Sequence, residues 1–209
     1  MGTMAPHPLT VGFDLDMTLI DSRPGIKATY QALSAETGTP IDVDLAVSRL
    51  GPPVEHELAN WYPAHAVAAV ADRYREIYPT YAITSSPALP GARESVAAIR
   101  ARGGRTIVVT AKHTPNARLH LAHVGIDPDE VIGSLWAERK GNALREHGAH
   151  VYVGDHTGDV RGARTADALS VGVTTGPCDA AELREAGADV VLPDLTRFPA
   201  WLRTYPEPA

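Results

Sequence analysis

Val11-Gly12-Phe13-Asp14-Leu15-Asp16-Met17-Thr18-Leu19-Ile20-Asp21 decides how the rest of the chain is read. An apolar run beginning at Leu9 meets two carboxylates one residue apart. That is the pattern of a short buried strand whose carboxyl end carries Asp14 to the edge of a parallel sheet, where open α/β sheets bind their ligands. Side chains alternate along a strand, so Asp14 and Asp16 share a face if the extension continues. If a loop begins after Asp14, one side chain and one backbone carbonyl converge instead. Both arrangements suit a hard divalent cation such as magnesium. An isolated Asp-x-Asp is more often a strand end with turn-forming residues, so the case for chemistry rests on residues further down the chain.

Between Ser22 and Ala88 there is no strand pattern, only helical segments separated by Gly and Pro, expected at 24–37, 43–50, 54–61 and 64–78. After Pro90-Gly91 helix and strand alternate. Strands are expected at 105–110, 131–133, 150–154, 170–174 and 189–192, with helices at 92–102, 115–124, 138–147, 160–168 and 180–186 and a last one near Phe198. This alternation predicts an α/β fold with a doubly wound parallel sheet formed by 1–21 and 89–209. Residues 22–88 are then a small α-helical insertion, which Trp61, Tyr62, Tyr74, Tyr78 and Tyr81 help to pack.

The positions just past the expected strands form a set. Asp14 and Asp16 follow the first strand, Thr110 closes the second, Asp155 and Asp159 follow the strand ending at Gly154, and Lys140 starts a helix. Four carboxylates, a hydroxyl and an ammonium on one sheet edge amount to a magnesium phosphate site with a candidate nucleophile. Carboxylates hold the metal, Thr110 and Lys140 hold anionic oxygens, and attack by a carboxylate gives an aspartyl phosphate.

Composition excludes other classes. A net charge of -6 leaves no broad basic surface for nucleic acid, and no apolar run reaches membrane-spanning length. The lone Cys178 rules out a disulfide framework and fits a reducing, cytoplasmic setting. Residues 1–10, with Pro6 and Pro8, read as a leader ahead of the folded part, with Met4 as an alternative start.

Asp14-Leu-Asp16-Met-Thr18, Thr110 after Ile-Val-Val, Lys140, and Gly154-Asp155-His-Thr-Gly-Asp159 resemble, in that order, the four signature motifs of the haloacid dehalogenase superfamily. The helical insertion followed by Leu89-Pro90-Gly91 is similar to its phosphoglycolate phosphatase-like branch, in which a helical cap closes over a Rossmann-like core. The resemblance implies a magnesium-dependent phosphatase acting on a small phosphorylated metabolite, as a monomer or homodimer. It makes Asp14 the nucleophile and a magnesium ligand. Asp16 is then general acid and later base, its backbone carbonyl also meeting the metal. Thr110 and Lys140 bind the phosphoryl group, and Asp155 and Asp159 are metal ligands. Thr18 and Asp21 are structural residues of the loop leading to the cap. A sugar phosphomutase of the same superfamily would keep every core residue, and a phosphoaspartate-switched binding module would group similar ones. Dehalogenases and phosphonate-cleaving relatives do without the acid that Asp16 provides.

Substrate selection falls to the cap, where Arg23, Lys27 and Arg49 are candidates for binding a carboxylate or second phosphate. Met17 stands where the phosphatase branch often has Gly, Lys112 is near enough to Thr110 to approach the site, and His156 is expected to be a loop residue. His113, His120 and His123 read as a polar helix face rather than a zinc site.

Overall fold

The computed structural model describes residues 8–206, so most of the expected leader lies outside the described residues, while Thr10 already belongs to the first strand. Strand β1 (Thr10–Phe13) leads into helices α1 (Arg23–Thr37), α2 (Val43–Ser48), α3 (Val54–Leu58) and α4 (Ala64–Ala82). Then come α5 (Ala92–Ala101), β2 (Arg105–Val109), α6 (Thr114–His123), β3 (Glu130–Ile132), α7 (Glu138–Glu146) and β4 (Val151–Gly154). The chain continues through α8 (Thr157–Thr165), β5 (Leu169–Val173), α9 (Ala180–Glu185), β6 (Val190–Leu192) and α10 (Phe198–Leu202). The six strands lie in the order β3-β2-β1-β4-β5-β6 and every pairing is parallel. From β1 the chain first builds outward through β2 and β3, then builds β4 to β6 on the other side. The loops after β1 and β4 therefore diverge and open a crevice at the carboxyl edge.

Period-two alternation gives the central strands two buried faces. Val11, Phe13, Val108, Val151 and Val153 pack with Val96 and Ile99 of α5 and with Phe198 and Leu202 of α10. Ile107, Val109 and Tyr152 point the other way, against Leu144 of α7 and Ala163 of α8. Gly12 lets that second layer come close: a Cβ there would stand 2.8 Å from Leu144 and 2.9 Å from Tyr152.

Helices α1 to α4 bury a cluster of their own, including Tyr30, Leu33, Leu58, Tyr74 and Tyr78. The chain leaves the sheet and returns to it along one paired stretch, in which Asp21 N donates to Pro87 O and Leu89 N to Leu19 O, both at 2.9 Å. Among the helix boundaries that differ from expectation, two have a clear local cause. Helix α4 runs through Pro79 to Ala82 instead of stopping at Tyr78; burial of Tyr78 and Ala82 on either side offsets the hydrogen bond that proline removes. Helix α8 starts at Thr157 rather than near 160, because His156 caps it. His156 Nδ1 accepts from Gly158 N at 2.9 Å, and Asp159 Oδ2 accepts from His156 N at 3.1 Å. Histidine is not among the usual capping residues, so the start was hidden in the sequence. Among the described residues no helix is long and apolar enough to cross a membrane.

Candidate active site

Asp14 is the first residue past β1, and its N–H donates to Val153 O of β4 at 2.8 Å, which anchors the loop between the two central strands. Carboxylate oxygens of Asp14, Asp155 and Asp159 lie within 4.8 Å of one another, and all three residues are buried. Lys140, fully buried on α7, points its Nζ between them, 2.8 Å from Asp14 Oδ1 and 2.6 Å from Asp159 Oδ1. Thr110 is buried just past β2, held by its N–H to Ile132 O at 2.9 Å, and its hydroxyl accepts from Lys112 N at 3.3 Å.

Neighbouring residues make room for these carboxylates. A Cβ on Gly154 would stand 2.4 Å from the Asp159 carboxylate, and one on Gly176 would stand 1.7 Å from Asp155 Oδ2. Thr18, expected to be structural, donates its hydroxyl to Asp155 Oδ1 at 2.9 Å. The positioning role of Gly176 was missed, because nothing local in Thr174-Thr-Gly176 announces that a carboxylate from another strand rests on it.

Three buried carboxylates face one ammonium, leaving an excess of two negative charges. Burial pushes the Asp14 carboxyl up to about 6 despite Lys140, with Asp159 and Asp16 adding repulsion. Burial, together with Asp159 and Asp14, also holds Asp155 well above the usual carboxylate range. For Lys140 burial works against the charge, but Asp14 and Asp159 outweigh it and the ammonium is kept. A hard divalent cation fits this donor set in charge and in ligand chemistry, with Asp14, Asp155 and Asp159 as the side chains that would hold it.

Two residues past Asp14 the chain turns. Met17 takes φ +57, the left-handed region that favours glycine, and is held there by Met17 N to Ile20 O at 2.8 Å and by Thr175 Oγ1 to Met17 O at 2.5 Å. Asp16, just before this turn, faces a different partner, Lys112 Nζ, at 3.0 Å from its Oδ1. Lys112 also donates to the Tyr78 hydroxyl of α4 at 2.7 Å, and that hydroxyl is 2.9 Å from His120 Nε2 on α6. Burial alone would raise Asp16, yet the Lys112 ammonium brings it below its ordinary value. Burial and the same ammonium push His120 down to about 3. The imidazole is therefore neutral, and Lys112, Tyr78 and His120 form one hydrogen-bonded chain in which Lys112 donates to the Tyr78 hydroxyl. His120 is thus fully buried rather than part of a polar helix face, a correction whose cause is the packing of α4 onto α6.

A cavity of about 280 Å³ opens beyond Asp16 and Lys112, between the helical unit and the sheet edge. Arg49 lines it, but its guanidinium forms a two-pronged pair with Glu57 at 2.6 and 3.0 Å. Arg23 pairs with Asp21 and Lys27 with Asp44, both outside the cavity lining.

Fold and site together define a doubly wound α/β protein with a buried cluster of aspartates at its switch point. Residues 11–164 match the haloacid dehalogenase-like hydrolase family and 139–198 match a HAD-hydrolase-like model. The chain belongs to the haloacid dehalogenase-like hydrolase family. It is 31% identical over 170 residues to the tyrosine-protein kinase PtkA of Mycobacterium tuberculosis, covering 75% of this chain and 58% of that protein. It is 26% identical over 216 residues to a phosphoglycolate phosphatase of Caulobacter vibrioides, covering 88% of this chain and 86% of the relative. A haloacid dehalogenase-like family hydrolase from Streptococcus pneumoniae shares the fold with a TM-score of 0.82 at 22% identity, over 93% of this chain and 98% of that one.

Proposed function

We propose that the chain is a magnesium-dependent phosphatase that hydrolyses a small phosphorylated metabolite through an aspartyl phosphate on Asp14. The observation that carries this reading is the division of labour between two neighbouring aspartates. Asp14 sits among the buried carboxylates with Lys140 on its Oδ1, while Asp16 faces the cavity beside Lys112. The phosphatase named among the relatives supports the same class of reaction.

In this mechanism an Asp14 oxygen attacks phosphorus and the ester P–O bond breaks. Lys140 keeps Asp14 oriented and, with the Thr110 hydroxyl, stabilises charge on the phosphoryl oxygens. Magnesium, when held by Asp14, Asp155 and Asp159, supplies positive charge against the same oxygens. Asp16 rests ionised, so the proton for the leaving alkoxide arrives with the substrate as the phosphate monoanion, whose second ionisation lies near pH 6. It passes through the Asp16 carboxyl to the leaving oxygen. Asp16 is then a carboxylate again and takes a proton from the water that attacks the phosphoaspartate, returning Asp14 and inorganic phosphate. Residues 22–88 act as a cap over this chemistry, and the cavity beneath them houses the leaving group.

The test is inorganic phosphate release from a panel of small phosphate esters with magnesium, alongside the Asp14→Asn protein. Release by the native protein alone, abolished by chelation, is the expected result. Equal release by both proteins would sink the proposal.

A further inference from the structure

The cavity beyond Asp16 carries information about the leaving group. Every cationic side chain lining it already has a carboxylate of its own. Arg49 holds Glu57 in a two-pronged pair, and Glu57 also accepts from Trp61 Nε1 at 2.8 Å. Arg75 pairs with Glu55 and, at 3.0 Å, with Asp72. Lys112 is taken up by Asp16 and Tyr78. A carboxylate or second phosphate on the substrate would have to break or share one of these pairs and then lie beside an acid that already holds the cation.

The rest of the wall favours the opposite kind of group. Tyr30, Tyr74 and Tyr78 line the cavity as a row of tilted rings, with centroids 4.9 and 5.5 Å apart, and Leu50, Pro52 and Val54 add apolar surface to its lining. At about 280 Å³ the space is at the low end for small-molecule sites, large enough for one ring and its linker. Resting on the phosphatase reading, we propose that this cavity selects phosphate monoesters whose leaving group is an uncharged, ring-bearing or otherwise apolar alcohol, and discriminates against esters carrying a second anion. A phosphomutase acting on a doubly phosphorylated sugar is disfavoured on the same ground.

The experiment compares kcat/KM for benzyl phosphate, ethyl phosphate and phosphoglycolate, all with alkoxide leaving groups, at pH 8, where histidine adds no charge. The expected order is benzyl, then ethyl, then phosphoglycolate, with at least about tenfold between the first and last. Glu57→Gln, which releases Arg49, is expected to shift the ratio toward phosphoglycolate. Phosphoglycolate equal to or better than benzyl phosphate, or an unchanged ratio in Glu57→Gln, would overturn the inference. If no ester is hydrolysed, the phosphatase reading fails by itself. Calorimetric titration of Asp14→Asn protein with magnesium and each ester then decides the cavity: tighter binding of benzyl phosphate supports the inference, while equal, reversed or undetectable binding refutes it.

Discussion

Asp14 and Asp16 leave the same strand end one residue apart, yet they inhabit opposite electrostatic surroundings. Around Asp14 negative charge is in excess: Asp155 and Asp159 crowd it, one lysine serves two of the three carboxylates, and the carboxyl is pushed up to about 6. Around Asp16 the balance reverses, because the Lys112 ammonium beside it outweighs burial and its pKa is lowered. The positive φ at Met17, at a cost of about 1–2 kcal/mol for a residue other than glycine, turns the chain away just after the second aspartate. Two identical side chains are thus given opposite electrostatic settings by what packs around them: acids crowd one, and a lysine faces the other.

The largest way to break the comparison is to neutralise each aspartate in turn. Asp14→Asn is expected to remove turnover entirely. Asp16→Asn is expected to lower kcat by about 10²–10⁴ for an alkyl ester, and by less for 4-nitrophenyl phosphate, whose leaving group needs no proton. Equal losses on both esters would erase the distinction between the two residues.

Gly176→Ala attacks the cation end without touching a charge. The added Cβ would displace the Asp155 carboxylate, and magnesium affinity measured by calorimetry is expected to fall about 10- to 100-fold. An unchanged affinity would remove Asp155 from the set that holds the metal.

Lys112→Met attacks the other end. With 4-nitrophenyl phosphate, kcat should rise with pH as Asp16 ionises and becomes the base for water. Loss of the ammonium should move that limb to higher pH, because the strongest counterweight to burial at Asp16 is then gone. A limb that stays in place would show that Lys112 does not set the state of Asp16.

The smallest effect concerns stability. His120 has a folded pKa of about 3 against an ordinary 6.5, so it is neutral in both states above pH 6.5 and contributes fully there. As pH falls from 6.5 toward 3 the unfolded chain binds a proton that the folded chain refuses, and stability declines by at most about 1.4 kcal/mol per pH unit. Urea unfolding of His120→Gln, whose amide can still hydrogen-bond to Tyr78, should show a correspondingly shallower acid slope than the native protein. Identical slopes would mean that His120 does not resist protonation.

How much could be read in the sequence depends on the range of each interaction. Strand ends are local events, so the positions of Asp14, Thr110 and Asp155 at the sheet edge followed from apolar runs and their stops, and the structure brings Asp14, Asp155, Asp159 and Lys140 together. The Lys112, Tyr78 and His120 chain joins a loop, α4 and α6 across more than thirty residues of sequence. Tyr78 and His120 each fit a plain helical pattern, and only the seating of one helix on the other turns them into partners. The acid partners of Arg49 and Lys27 were likewise out of view, since a basic residue looks available until its neighbours in space are known. Gly176 was hidden for the same reason.

The most direct test of the central claim is to trap the phosphoryl group. Asp16→Asn protein is mixed with magnesium and 4-nitrophenyl phosphate, quenched in acid and digested for mass spectrometry. The first step needs no acid with this ester and the second lacks its base, so the account predicts one phosphoryl group on the peptide containing Asp14, at Asp14. Its absence while 4-nitrophenol is still released in a burst, or its presence on a different residue, would contradict the assignment of Asp14 as the nucleophile.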